Sequence, residues 1–149
     1  ILFRLVGSEM CIRDRITMDL EIIKIAEDTN NHKDIKNHTH YSKLKNHLCG
    51  DEIQIKLIVK KDKIVEFGYE GKSCVYCQAA ASLLSKVSID KEVIKINQLC
   101  DESESYFDNN GKLIKKKWNI LQKLFKSKNL ARKECILLPF KAVKKIITL

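Results

Sequence analysis

The chain has 149 residues, 44% of them hydrophobic, and this length and composition fit one folded domain with a modest core. One proline and five glycines exclude collagen-like and low-complexity classes, and no apolar stretch approaches the roughly 20 residues of a membrane-spanning helix. The net charge of +9 is spread along the chain, so we interpret it mainly as a solvated face. The second interpretation of this charge is a docking surface for an acidic protein. A surface for nucleic acid is the third, because the sequence has no basic motif interleaved with aromatic residues.

The first seventeen residues, ILFRLVGSEMCIRDRIT, have no clean periodicity. The string GSEMCIRDR resembles a translated sequencing-adaptor artefact. We therefore take residues 1–17 as an artefact or a disordered extension, and expect a single domain over residues 18–149. The six cysteines are irregularly spaced, which favours a reduced, cytoplasmic protein that uses some thiols for metal over a secreted disulfide framework.

Hydrophobic periodicity predicts the elements of the first half of the domain. A short helix over Met18–Glu27 is followed by a polar loop and by a weak edge strand near His40–Leu44. The alternation over Ile53–Val59 predicts a strand with one buried face. A tight turn then leads to a returning strand over Ile64–Tyr69, so we expect an antiparallel hairpin.

The second half of the chain predicts helices. Cys77–Lys86 is rich in small residues that permit close packing. Pro139 is tolerated only in the first turn of a helix, so the last helix should begin near Leu137 or Leu138. The other predicted elements are a helix from an N-cap at Asp90 to about Leu99, an acidic stretch over Asp101–Gly111 that becomes turn-like at residues 109–111, and an amphipathic helix over Leu113–Lys126. The predicted fold class is α+β: a small antiparallel sheet of about three strands, with helices packed on one face.

Three cysteines and one aspartate carry the main functional signal. Cys49 and Asp51 lie in the turn that enters the first hairpin strand, and Cys74 lies at the exit of the second. Because the start of one strand lies beside the end of its antiparallel partner, the sheet should bring Cys49 and Cys74 together. Cys135 lies at the start of the last helix, and helix N-termini favour the thiolate form at both Cys74 and Cys135. Three thiols and a carboxylate can hold zinc or an iron–sulfur cluster.

Other interpretations of these residues remain open. Any one cysteine can be buried as a small hydrophobe, and Cys100 is interpreted as structural. Cys74 and Cys77 have the spacing of a thioredoxin-type redox pair, although a hairpin rather than a βαβ unit precedes them. No second Cys-x-x-Cys pair exists for a zinc ribbon. The four histidines lie in a polar region and are expected to be solvated: His32, His38, His40 and His47.

Three motifs resemble the NifU N-terminal, IscU and SufU family of iron–sulfur cluster assembly scaffolds. They are HLCGDEI at residues 47–53, GKSC at residues 71–74 and ARKEC at residues 131–135, and they occur in the family order. The resemblance implies that Cys49, Asp51, Cys74 and Cys135 hold a transient 2Fe-2S or 4Fe-4S cluster, or zinc in the resting form. It further implies that Asp51 keeps the cluster labile.

The same resemblance implies partners and a branch of the family. The sulfur source would be a pyridoxal-phosphate cysteine desulfurase, the recipients would be apo iron–sulfur proteins, and Cys135 is the candidate first sulfur acceptor. The long insert between Cys74 and Cys135 resembles SufU more than IscU. Glu134 departs from both branches and would be an additional acidic ligand or a repelling charge. Cys77 is also unusual for the family, and would be a spare ligand or a sulfur acceptor.

We therefore expect a non-enzymatic scaffold that builds a labile cluster and passes it to acceptor proteins. The alternative is a zinc-dependent sulfurtransferase of SufU type that takes persulfide sulfur from a cysteine desulfurase. A purely structural zinc protein is a third possibility, and it predicts that removal of the metal unfolds the domain.

Overall fold

The structure is a computed structural model, and it describes residues 20–47, 50–108 and 133–147. The elements of these residues, in chain order, are α1 (20–27), β1 (His40–Lys45), β2 (Glu52–Lys60), β3 (Lys63–Glu70), α2 (Val75–Ser88), α3 (Val93–Asp108) and α4 (Lys133–Ile147). The strands form one antiparallel sheet in the order β1-β2-β3, and α2 and α4 pack against it. The predicted α+β class and three-stranded sheet are confirmed.

The core lies between one face of the sheet and the helices. Alternate residues of β2 point into it, and all are at most 2% exposed: Ile53, Ile55 and Leu57. The β2–β3 register shifts near Val65, which leaves this residue without a partner in β2. Because of this bulge, Ile64 and Phe67 both face the core although an odd number of positions separates them.

The hairpin turn and the outer face of the sheet follow from local sequence. Lys61 and Asp62 both have positive φ, at 53° and 63°, which is the signature of a type I′ turn. On the outer face, the loop predicted before β1 crosses the sheet, and Ile35 is buried there. A Cβ at Gly68 would lie 2.9 Å from Cγ1 of Ile35, so glycine permits this close approach.

Two predictions about α3 are wrong. Asp90 does not cap the helix: it lies in a turn with φ of 67°, its N–H donates to the carbonyl of Ile64 at 2.8 Å, and the helix begins at Val93. The helix predicted to end near Leu99 continues through the acidic stretch to Asp108, and the turn predicted at residues 109–111 lies outside the described residues. Packing explains this extension, because one face of α3 is buried in the core while Asp101 lies exposed and pairs with Lys144 of α4. The residues of that buried face are Ile96, Leu99, Cys100 and Tyr106.

The predicted start of the last helix is also wrong. α4 begins at Lys133 rather than near Leu137, and Pro139 is buried inside it. A proline there has no N–H for the carbonyl four residues earlier, and it costs about 3 kcal/mol relative to alanine. The helix persists because its apolar face is fully buried, through Ile136, Phe140 and Val143. The earlier start places Cys135 in the first turn.

Several predictions fall on other parts of the chain. The segment 1–17, Cys49 and the predicted helix over Leu113–Lys126 lie outside the described residues. Within the described ranges, none of the helices has the length and apolar composition that crossing a membrane requires. Part of the positive charge is paired within the chain, in the ion pairs Lys43–Glu52, Lys56–Asp34, Lys86–Asp28, Lys141–Glu134 and Lys144–Asp101.

Candidate metal centre

The hairpin brings Asp51 to the N-terminus of α2. The N–H of Glu52 donates to the carbonyl of Lys72 at 2.8 Å, so the antiparallel pairing continues beyond the ends of β2 and β3. On the other side, the N–H of Asn46 donates to the carbonyl of Asp51 at 2.7 Å and closes the loop between β1 and β2. Gly50 turns this loop with φ of 77°. Asp51, at the start of β2, therefore lies close to the end of β3, as the sequence predicts for the two strand ends.

Gly71 sets the path from β3 to the site. Its φ is 142°, and a Cβ there would collide with the carbonyl oxygen of Glu52. Only glycine therefore allows the chain to pass this close to β2 before it reaches Cys74. In the sequence, Gly71 is the first residue of the GKSC motif, and the motif alone does not predict this close approach.

Asp51, Cys74 and Cys135 meet at one point. Cys74 is the N-cap of α2, and its backbone N–H donates to Oδ1 of Asp51 at 3.2 Å. Cys135 reaches the same point because α4 packs against α2. One ligand atom from each of the three residues lies within 4.8 Å of the others. Asp51 is 8% exposed and Cys135 is 5% exposed, whereas Cys74 is only half-buried and forms the open side.

The remaining candidates are placed elsewhere or are not described. Cys49 lies outside the described residues, so its predicted place beside Cys74 stays a prediction. Among the described residues, the group of close ligand atoms includes neither Glu134 nor any of the four histidines. Glu134 instead pairs with Lys141 at 3.3 Å. Cys100 is fully buried in α3, in agreement with a structural role, and Cys77 is fully buried in the first turn of α2.

Burial dominates the electrostatics of Cys74. It raises the pKa of the thiol, and the nearby Asp51 carboxylate raises it further. Hydrogen bonds from the Cys77 backbone N–H and from the Cys135 thiol lower the pKa, but they do not outweigh burial. The start of α2 favours the thiolate of Cys74, as the sequence predicts, but in the metal-free protein burial outweighs this effect on the pKa. A bound cation would supply the missing stabilisation.

The donor set fits a metal ion. Oδ2 of Asp51 is buried without a hydrogen-bond partner among the described residues, and such an atom is costly unless a cation or donor compensates it. Two sulfurs and a carboxylate oxygen are ligands that zinc and iron accept. A tetrahedral ion with metal–sulfur bonds of about 2.3 Å holds its ligand atoms roughly 3.8 Å apart. The three atoms lie within 4.8 Å of one another, and this limit allows such a spacing.

A helix-backed antiparallel sheet with two thiols and a carboxylate at one end defines a small α+β protein with a candidate metal site. Residues 17–104 match the sequence profile of the NifU-like N-terminal domain, and the chain belongs to this family. The family predicted from the motifs is thus confirmed. The matched segment contains Asp51 and Cys74 and ends before Cys135.

Individual relatives agree with this assignment. The iron–sulfur cluster assembly scaffold protein IscU of Thermotoga maritima is 35% identical over 109 residues, which cover 69% of this chain and 72% of that protein. The fold is similar to that of a candidate iron–sulfur cluster assembly scaffold protein for the SUF system from Fervidobacterium islandicum AW-1. The TM-score is 0.77 at 24% identity, with 85% of this chain and 93% of that chain covered.

A nitrogen-fixing NifU-like protein (N-terminal) from Brucella abortus also has a TM-score of 0.77, at 21% identity, with 86% of this chain and 90% of that chain covered. At these identities the two structures establish the fold alone. The relatives carry IscU, SUF and NifU names, so the predicted preference for the SufU branch stays a prediction.

Proposed function

We propose that this chain is a scaffold on which an iron–sulfur cluster is assembled and from which it is passed on. Cys49, Cys74 and Cys135 supply thiolates, and Asp51 supplies the fourth ligand. The observation that carries the proposal is the convergence of ligand atoms from Asp51, Cys74 and Cys135 within 4.8 Å, in a member of the NifU-like family. The scaffold name of the Thermotoga maritima relative supports it.

The chemistry of the ligands suits a cargo that must leave. Thiolates bind iron strongly, whereas a single carboxylate oxygen is a harder donor that exchanges more readily. Asp51 is therefore the ligand at which the cluster opens first. The half-buried position of Cys74 gives an acceptor thiol access to the site, while Cys135 and Asp51 remain covered.

Sulfur would arrive from a cysteine desulfurase as a persulfide. A thiolate of this chain attacks the outer sulfur of the desulfurase persulfide, the S–S bond breaks, and a new persulfide forms on the scaffold. We keep Cys135 as the proposed first acceptor. Because the reactive atoms of Cys135 and Cys74 lie within 4.8 Å, the sulfur can pass between them after arrival. Apo iron–sulfur proteins would then receive the finished cluster.

A zinc-dependent sulfurtransferase is the second candidate, and the spacing of the ligand atoms favours it. Ligand atoms that lie within 4.8 Å of one another can surround a single zinc ion. In this alternative, zinc occupies the resting site and one cysteine leaves it to take sulfur. A structural zinc site is the weaker third candidate, because the buried core of the described residues extends far beyond the site, through the sheet and α1 to α4.

The absorption spectrum after anaerobic incubation with iron, cysteine and a cysteine desulfurase tests the proposal. The scaffold predicts thiolate-to-iron charge-transfer bands that disappear in Cys74→Ala and in Cys49→Ala. Cys100→Ala is the matched control, because this cysteine is fully buried in α3 and outside the site. It should keep the bands.

The other outcomes of these experiments distinguish the three candidate functions. A colourless protein that accelerates the desulfurase would replace the scaffold by the zinc sulfurtransferase. Unfolding of the domain on removal of the metal would favour the structural zinc site. The scaffold should keep its helical circular dichroism when a chelator removes the metal.

A further inference from the structure

Cys77 is a thiol that the proposed ligand set does not use. It is fully buried and lies in the first turn of α2, three residues after the N-cap Cys74. Its backbone N–H donates to the sulfur of Cys74, so that sulfur lies over the first turn of the helix. The side chains of an N-cap and of the third helical residue lie over the same turn. Cys77 therefore lies one helical turn after the ligand thiol that is most open to solvent, although its sulfur is outside the group of close ligand atoms formed by Asp51, Cys74 and Cys135.

The proposed function requires two electrons for each sulfur that is delivered. Sulfur that arrives as a persulfide is at the oxidation level of elemental sulfur, whereas a cluster contains sulfide. Each sulfur must therefore gain two electrons before it can bridge iron. Two thiols that become a disulfide supply two electrons. The described cysteines are all thiols, and Cys74 and Cys77 have the Cys-x-x-Cys spacing of dithiol redox pairs.

We propose that Cys77 is the resolving thiol that releases sulfide from a persulfide on Cys74. The sulfur of Cys77 attacks the inner sulfur of the Cys74 persulfide. A Cys74–Cys77 disulfide forms, the bond to the outer sulfur breaks, and the outer sulfur leaves as hydrosulfide with the electron pair, while the Cys77 proton passes to solvent. The two thiols are oxidised and the transferred sulfur is reduced. An external dithiol reductant reopens the disulfide before the next round.

This assignment rests on the proposed function only for the origin of the persulfide. Burial supports a resolving role, because a fully buried thiol meets a persulfide of its own chain while external thiols and alkylating agents cannot reach it. Cys135 is the competing nucleophile, since its sulfur also lies beside Cys74. The identity of the disulfide that forms therefore shows whether Cys77 or Cys135 is the nucleophile.

The experiment uses the metal-free full chain and glutathione persulfide, without iron or desulfurase. Released sulfide is measured by methylene blue, and non-reduced peptides are mapped by mass spectrometry. We expect about one sulfide per chain and a Cys74–Cys77 disulfide. In Cys77→Ala, sulfide release should fall by about tenfold or more, and the extra sulfur should stay on Cys74. Cys100→Ala, a substitution of an equally buried cysteine, should behave as the unmodified chain.

Three results would overturn the inference. They are a disulfide of Cys74 with Cys135 or Cys49, sulfide release in Cys77→Ala equal to that of the unmodified chain, and failure of Cys74 to take up sulfur from the persulfide. An unfolding curve of Cys77→Ala, compared with that of Cys100→Ala, separates lost folding from lost chemistry. Iron binding in the unmodified chain is measured separately, so the scaffold proposal can stand even where the resolving role of Cys77 fails.

Discussion

The backbone N–H of Cys74 donates a hydrogen bond of 3.2 Å to Oδ1 of Asp51 and so joins the start of β2 to the N-terminus of α2. The second oxygen of the same carboxylate is buried without a hydrogen-bond partner among the described residues, and one carboxylate oxygen lies within 4.8 Å of the sulfurs of Cys74 and Cys135. Asp51 thus has a structural contact through one oxygen and a potential metal contact through the other. These two roles can be separated by substitution.

We expect Asp51→Asn and Asp51→Ala to differ in the metal-free protein. Asparagine keeps an oxygen for the Cys74 N–H and removes a buried carboxylate, so the free energy of unfolding should stay equal or rise by about 1 kcal/mol. Alanine leaves that N–H without its acceptor and should lower the free energy of unfolding by about 1 kcal/mol. Urea unfolding with a chelator present measures both. A larger loss in Asp51→Asn than in Asp51→Ala would contradict the assignment.

With metal present, the two variants should agree. Both remove the carboxylate ligand, so zinc affinity should fall by about tenfold or more in each. A chelator competition measures this affinity, with Glu52→Gln as the control. Glu52 is adjacent in sequence but pairs with Lys43 on the outer face, so its substitution should leave zinc binding unchanged.

Gly71 and Gly50 form a matched pair of glycine substitutions beside the site. Both have positive φ, but a Cβ at Gly71 would collide with the carbonyl of Glu52. At Gly50, no atom of the described residues, apart from its neighbours in the chain, lies within 4 Å of an added Cβ. We expect Gly50→Ala to cost about 1 kcal/mol of unfolding free energy through backbone strain alone. Gly71→Ala should cost clearly more and should also weaken zinc binding, because it displaces the chain that leads to Cys74. Equal effects in urea unfolding would show that the close approach is unimportant.

The sequence predicts the site more completely than it predicts the helices. Antiparallel pairing is enough to place Asp51 near Cys74, because alternation over β2 fixes which strand ends meet. Three features escaped prediction because each depends on tertiary packing. They are the bulge at Val65, the continuation of α3 through an acidic stretch, and the start of α4 six residues before Pro139. In all three, packing of apolar residues that are far apart in the sequence outweighs the structural preference of the local sequence.

The slope of zinc affinity against pH should give the number of ligand thiols. Burial raises the pKa of Cys74, so its thiol is protonated at neutral pH and must release a proton on binding. Affinity should therefore rise with pH, by about one logarithmic unit per pH unit for each ligand thiol, and level off above the thiol pKa. Cys74→Ala and Cys49→Ala should each reduce this slope by about one. An unchanged slope in Cys49→Ala would remove Cys49 from the ligand set.

In the metal-free domain, a rise in pH should lower the free energy of unfolding, whereas it should raise the affinity for zinc. A thiol whose folded pKa is raised stabilises the fold below its unfolded pKa of 9.0, and this contribution is lost as the pH rises through the folded value. Unfolding free energy should therefore decline above about pH 9, and less so in Cys74→Ala. Tyr69 also has a raised pKa through burial, so the comparison between the two proteins, rather than either curve alone, isolates Cys74.

Pro139 is the residue whose removal should stabilise the fold. Pro139→Ala restores a donor to the interior of α4 and recovers about 3 kcal/mol of helix free energy. It loses about two buried carbons, worth roughly 2 kcal/mol, so a net gain of about 1 kcal/mol is expected in urea unfolding. Val143→Ala removes the same number of carbons from the same fully buried face without relieving a proline. It should cost about 2 kcal/mol. Equal destabilisation by the two substitutions would mean that α4 accommodates Pro139 at no cost.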